Sequence, residues 1–317
     1  MSRGSSPRRK LGAARSEYTE EPRWLAGRGI ARTRIGLDEC LPAQRQFRAL
    51  MAVLLLNTLD VPDEFRLGDT DRRVAYSGVS HLTWNPVILS AQYDDLSILT
   101  PTPDHLVQCV ADSPGDSTHG VPGLRAEAVE NDGEALVLRH VPTGALLRFR
   151  YFEYYNHRRR KPSWFFDTHF AAMRRDCAIG PRERAVLDAV PPIHADAEYL
   201  LAGVTARLTC WHKQEGWAVS RLVHDDIAHR GRDKDYWPFL HLWGEGTEWV
   251  LRWGGLGSVP PADVAHALTH EIVGLKGARA VVKGANQSEV RFGKARLVLE
   301  RPRTEYSDLF GRWSRAR

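Results

Sequence analysis

The densest group of metal-type ligands in this sequence is His224-Asp225-Asp226, with His229 three residues on. Carboxylate oxygens and imidazole nitrogens together suit magnesium, manganese or zinc. His224, Asp225, Asp226 and His229 are therefore the candidate ligands of a divalent metal ion, and a metal-dependent hydrolase or transferase is the chemistry such a centre would serve. The competing reading is a polar turn in which Asp225 or Asp226 caps a helix. A different chemistry is written in Tyr151-Phe152-Glu153-Tyr154-Tyr155-Asn156-His157-Arg158-Arg159-Arg160-Lys161-Pro162-Ser163-Trp164-Phe165-Phe166. Aromatic rings stack on bases while Arg and Lys hold phosphates, which is how single strands are gripped without sequence readout. Tyr154, Tyr155, Arg158, Arg159, Arg160, Lys161 and Trp164 are the candidate nucleic-acid contacts, joined by Arg148 and Arg150 on the preceding strand. The competing reading is a strand edge, a basic surface loop and an apolar helix.

Other patterns carry less. Gly244-Glu245-Gly246 lies between two aromatic-rich strands and reads as a hairpin turn. Gly254-Gly255-Leu256-Gly257 leads to a helix near Pro260 but lacks the lysine of a phosphate-binding loop. Thr269-His270-Glu271 has no second His at zincin spacing, and His81-Leu82-Thr83 has no paired partner.

Two families share fragments with this chain. The segment Asp225-Asp226 through Arg230-Gly231 resembles the aspartate-rich motif of isoprenyl diphosphate synthases. A second such motif and an all-helical setting are missing, so the family is set aside. Leu201-Ala202-Gly203, with a repeated helix-hairpin-helix-hairpin order, looks like the plan of LAGLIDADG homing endonucleases. That family places a metal-binding acid near the end of each paired helix. Here the corresponding positions are Ala206 to Thr209 and Leu55 to Thr58, with no carboxylate among them. The resemblance is not adopted, and it would imply a missing cleavage centre.

The chain has 317 residues, 43% of them hydrophobic and 26% charged, enough for one large domain or two ordinary ones. No apolar run approaches a membrane span, and no apolar segment follows the basic N-terminus, so a cytoplasmic protein without membrane partners is expected. Cys40, Cys109, Cys177 and Cys210 are far apart and read as reduced thiols. The net charge of +5 is mild. Its clustering near the N-terminus, at Arg158 to Lys161 and in the last residues makes DNA or RNA a physically reasonable partner.

Residues 1–38 form a basic N-terminal segment that is expected to be largely disordered, above all residues 1 to about 22 with their few apolar side chains. Phe47, Leu50, Met51, Leu54 and Leu55 share one helical face. Val87-Ile88-Leu89 and Leu96 to Leu99 read as strands. Ala135 to Arg139 and Ala145 to Tyr151 read as a hairpin, with Gly144 in its turn. Alternation along the second strand predicts one basic and one apolar face. Near an offset of about 150 residues these landmarks recur in order. Trp84-Asn85-Pro86 meets Tyr236-Trp237-Pro238, and Gly123-Leu124-Arg125-Ala126 meets Gly277-Ala278-Arg279-Ala280.

The expected fold is α+β, an internal duplication of a helix-hairpin-helix-hairpin unit with mainly antiparallel sheets and a pseudo-twofold axis. The halves are 39–153 and 196–302, with a basic and aromatic connector at 154–195 and a basic tail at 303–317. Nucleic-acid binding through residues 151–166 is the leading functional expectation. Metal-dependent catalysis and a non-catalytic pseudo-symmetric scaffold are the alternatives.

Overall fold

The computed structural model describes residues 6–31, 34–57, 88–100, 121–130, 135–151, 178–220, 222, 239–254 and 259–301. The fold is α+β, with two mixed five-stranded sheets and a two-stranded hairpin. Helix α3 (Pro42–Leu55) opens with proline at its first turn and buries Phe47, Met51, Leu54 and nearly every other residue after Arg45. A helix apolar on all sides belongs in the middle of a core. Its partner α5 (Ala195–Arg207) contributes Leu200, Leu201 and Val204. Arg45 Nε bonds Glu198 Oε1 at 2.9 Å across the pair, and Thr205 Oγ1 donates to the Arg48 carbonyl at 2.7 Å.

The first sheet comprises β1 (Ile88–Ala91), β2 (Asp95–Thr100), β3 (Leu124–Glu130), β4 (Ala135–His140) and β5 (Ala145–Tyr151), in the order β1-β2-β5-β4-β3. The second follows the small hairpin β6 (Trp211–His212) and β7 (Trp217–Ala218). It contains β8 (Phe239–Glu245), β9 (Glu248–Gly254), β10 (Arg279–Gly284), β11 (Gln287–Phe292) and β12 (Ala295–Glu300). Its order, β8-β9-β12-β11-β10, repeats that of the first. In each sheet a hairpin is joined by a parallel seam to a three-stranded meander: β2 pairs with β5, and β9 with β12. The expected closing hairpin is thus one strand longer in both halves. Leu96, Ile98, Leu147 and Phe149 in one sheet, and Trp249, Leu251, Leu297 and Leu299 in the other, turn inward to a single apolar core.

Each central helix ends on the opposite sheet. Asn57, just after α3, brackets Leu242 of β8, donating to its carbonyl at 3.0 Å and accepting its N–H at 3.2 Å. Thr209, just after α5, donates to the Leu89 carbonyl of β1 at 3.5 Å. The two sheets are therefore tied crosswise through the central helices.

The N-terminal segment corrects an expectation. Helices α1 (Pro7–Thr19) and α2 (Arg23–Arg28) form where the polar composition predicted no structure. Their anchor is polar. Arg15, fully buried, forks onto Glu21 at 2.6 and 2.8 Å and donates to the Ile35 carbonyl at 2.8 Å and to that of Ala91. A buried bidentate pair with its remaining donors satisfied can be accommodated where a lone charge cannot. Leu25 of α2 then packs on Ile88 and Leu99, covering part of the outer face of the first sheet. Helix α4 (Pro181–Ala189) lies in the connector, and α6 (Pro261–Thr269) precedes β10. No helix among the described residues is long and apolar enough to cross a membrane.

Candidate functional site

Tyr154, Tyr155, Arg158, Arg159, Arg160, Lys161 and Trp164 lie outside the described residues, as do His224, Asp225, Asp226 and His229. Arg148 and Arg150 are described, and they correct the expected basic face of β5. Both are buried. Arg148 pairs with the buried Asp95 of β2 and, at 3.3 Å, with Glu130 of β3. Arg150 lies over the Trp24 ring at 5.8 Å and donates to Ser97 Oγ at 3.4 Å. Alternation placed them on one face correctly, but α2 and neighbouring carboxylates occupy that face.

The basic and aromatic run leaves the first sheet at Tyr151, the last residue of β5. Beyond it the chain is fixed again by Glu183, in the first turn of α4. The Glu183 carboxylate accepts from Arg125 Nη1 at 2.8 Å, Arg125 Nη2 at 2.7 Å, and the Gly123 and Gly180 N–H groups at 2.9 Å each. Burial opposes its charge, but these four N–H donors prevail and hold its carboxyl down to about 2. The described chain before and after residues 152–177 is thereby fastened to one sheet.

A cluster that the sequence reading missed joins three distant segments. His212 and Glu215 come from the β6–β7 hairpin, and His266 and His270 from the end of α6. One ligand atom each of His212, Glu215 and His270 lies within 4.8 Å of the other two. His266 Nε2 is 2.9 Å from Glu215 Oε2, and His270 Nε2 is 3.5 Å from Oε1. Trp217 Nε1 donates to Oε2 at 3.0 Å, and this bond, followed by the neighbouring imidazoles, holds the Glu215 carboxyl below its usual range despite partial desolvation. Tyr18 of α1 stacks on His212 at 5.0 Å. The legible signal was His266 and His270, four apart and hence on one helical face.

The donor set decides what this cluster can hold. His212 Nδ1 accepts the Glu215 N–H at 2.9 Å, and His270 Nδ1 accepts those of Ile272 at 3.2 Å and Val273 at 3.4 Å. A ring nitrogen facing an N–H must offer its lone pair, so the proton of each neutral ring sits on Nε2. A cation at Nε2 would force that proton onto Nδ1, against a backbone N–H. Metal-bound histidines instead donate from their second nitrogen. The cluster is a set of N–H donors closed on a carboxylate, and it fits a cation poorly.

Beside His270 lies a cleft of about 500 Å³ whose walls include Arg34, Asp38, Glu39, Glu271 and Lys276. Its charges are mixed. Arg207 on its floor is tied to Asp38 at 2.7 and 2.9 Å and to the Val273 carbonyl at 2.5 Å. Of the cysteines, Cys40 and Cys210 are free thiols, and burial pushes the Cys210 thiol up to about 12, which leaves it unreactive as a nucleophile. Comparison with protein-family models, with curated proteins and with solved structures gives no match to this chain.

Proposed function

We propose that this chain is a nucleic-acid-binding protein built by internal duplication of one α+β unit, with residues 151–166 as its contact segment. The duplication is supported by the repeated strand order and by corresponding pairings. Leu96 faces Leu147 across one parallel seam as Trp249 faces Leu297 across the other. Phe47 meets His140 at 5.0 Å as Tyr199 meets Phe292 at 4.6 Å, helix against strand end in both halves.

The observation that carries the binding function is the run Arg158-Arg159-Arg160-Lys161 between aromatic flanks in the sequence. Against it stands the fate of the buried arginines. Arg15, Arg48, Arg125, Arg148 and Arg207 are spent on internal carbonyls and carboxylates, so they contribute to folding and not to a ligand surface. Charge for a polyanion must come from elsewhere, and this run is the densest in the chain.

The test is to replace Arg158, Arg159, Arg160 and Lys161 together by Ala and measure affinity for single-stranded DNA and RNA across salt concentrations. Each phosphate contact contributes about 0.7 to 0.9 to the slope of log affinity against log salt, so the slope should flatten by roughly three units. Trp164→Ala should cost about 1–3 kcal/mol with little change of slope, since stacking releases no counterions. A slope that stays the same in the quadruple variant refutes the reading and leaves the scaffold.

A further inference from the structure

The latch that fastens α4 to the first sheet has a counterpart on the second that no described residue fills. Gly123, with φ of 81°, stands two residues before Arg125 at the start of edge strand β3. Gly277, with φ of 87°, stands two residues before Arg279 at the start of edge strand β10. Arg125 is buried under the Glu183 carboxylate. Arg279 is exposed and has no ion pair or side-chain hydrogen bond among the described residues. Every residue of β10 is exposed, including the apolar Val281 (41%) and Val282 (63%).

We propose that Gly277 and Arg279 form a receptor for a carboxylate carried on the first turn of a helix of a partner protein. The chemistry is read from the filled copy. Of the four N–H donors on Glu183, three come from Gly123 and Arg125, and Gly277 and Arg279 supply the same groups. The fourth, the Gly180 N–H, comes from the start of α4 itself. A glutamate at the third position of a helix that opens with proline brings this last donor with it. In α4, Val186 and Leu187 then pack on the core, and Val281, on the same face of β10 as Arg279, offers apolar surface for the same purpose. A second copy of this chain is the poorer occupant. Antiparallel pairing of two β10 strands about Val281 would set Arg279 opposite Lys283, and like charges directly opposed repel.

The receptor rests on the duplication, but its test is separate. A fluorescent peptide of residues 178–191, the sequence that fills the first latch, is titrated with the full chain and followed by anisotropy. Saturable binding is expected, weakened about tenfold or more by Arg279→Ala, because a charge-assisted fork is lost. A peptide carrying Glu183→Gln should weaken to a similar degree, and the Arg158–Lys161 quadruple variant should bind the parent peptide unchanged. No saturation by about 1 mM peptide overturns the receptor, and so does equal affinity in the Arg279→Ala variant. The duplication is judged apart from this, by superposing 44–151 on 196–300 in a crystal structure. Halves that superpose without peptide binding would sink the receptor alone.

Discussion

His140 should make this protein less stable in mild acid, by an amount the structure lets us work out. The ring is 1% exposed, at the end of β4 against Phe47, with Nδ1 2.9 Å from Thr143 Oγ1. Burial pushes its imidazole from the ordinary 6.5 down to about 4; the Pro122 backbone and Glu183 pull it back, while Arg125 pushes it further. A histidine with a depressed folded value stays neutral in the native state while the unfolded chain takes up a proton. Stability is then full above about pH 6.5, declines as pH falls towards about 4, and is flat below that. At 1.36 kcal/mol per unit, the difference amounts to about 3 kcal/mol. Glu183, held down to about 2 from an ordinary 4.5, adds a decline of its own that sets in below about pH 5, so the upper part of the window belongs to His140 and the lower part is shared.

The matching strand registers of the two sheets suggest the substitution that isolates the effect. His140 faces Ala145 in the β4–β5 register as Phe292 faces Ala295 in β11–β12. His140→Phe should keep the aromatic contact with Phe47 and lose one hydrogen bond, at a cost of about 1 kcal/mol at neutral pH. It should also remove about 3 kcal/mol of the decline between pH 7 and pH 4. Urea unfolding at several pH values, with midpoints and slopes fitted together, measures both. If wild type and variant lose stability in parallel over this range, His140 is not the titrating group and the argument from burial fails.

Two further outcomes follow from the polar interior. Asp38→Ala should destabilise by about 3–5 kcal/mol, because it strips the carboxylate from the buried Arg207 and leaves its charge unpaired; thermal or urea unfolding of the variant checks it. Stoichiometric zinc should not bind at His212, Glu215 and His270, because both Nδ1 atoms are already acceptors. Calorimetric titration with zinc would contradict this by showing one tight site that disappears in His212→Ala.

What was legible in the sequence was local. Helix α3 announced itself by Phe47, Leu50, Met51 and Leu54 at helical spacing, and β4–β5 by alternation around the Gly144 turn. The parallel seams β2–β5 and β9–β12 were not legible, because nothing in either strand names a partner some fifty residues away. Helices α1 and α2 were missed for a chemical reason. Composition predicts disorder when a segment has little apolar surface to bury, whereas this one is held by the Arg15–Glu21 fork and by backbone carbonyls from two other segments. The histidine cluster escaped because Tyr18, His212 and His270 meet only in three dimensions.

The arginines show most clearly where a charge reading goes astray. Arg148 and Arg150 counted towards a basic surface because they alternate with Leu147 and Phe149, and alternation does place them opposite the core. It cannot say that Asp95, Glu130 and α2 occupy that side as well. Arg48 and Arg207 sit within the two central helices, where they donate to backbone carbonyls: those of Leu37 and Asp95 for Arg48, and of Gly203 and Val273 for Arg207. An unpaired buried carbonyl is costly, and a guanidinium with five donors can serve several. The number of arginines therefore overstates the cation content of the surface in this fold. The excess that remains for a ligand has to be sought where arginines follow one another without carboxylates between them, as at Arg158-Arg159-Arg160-Lys161.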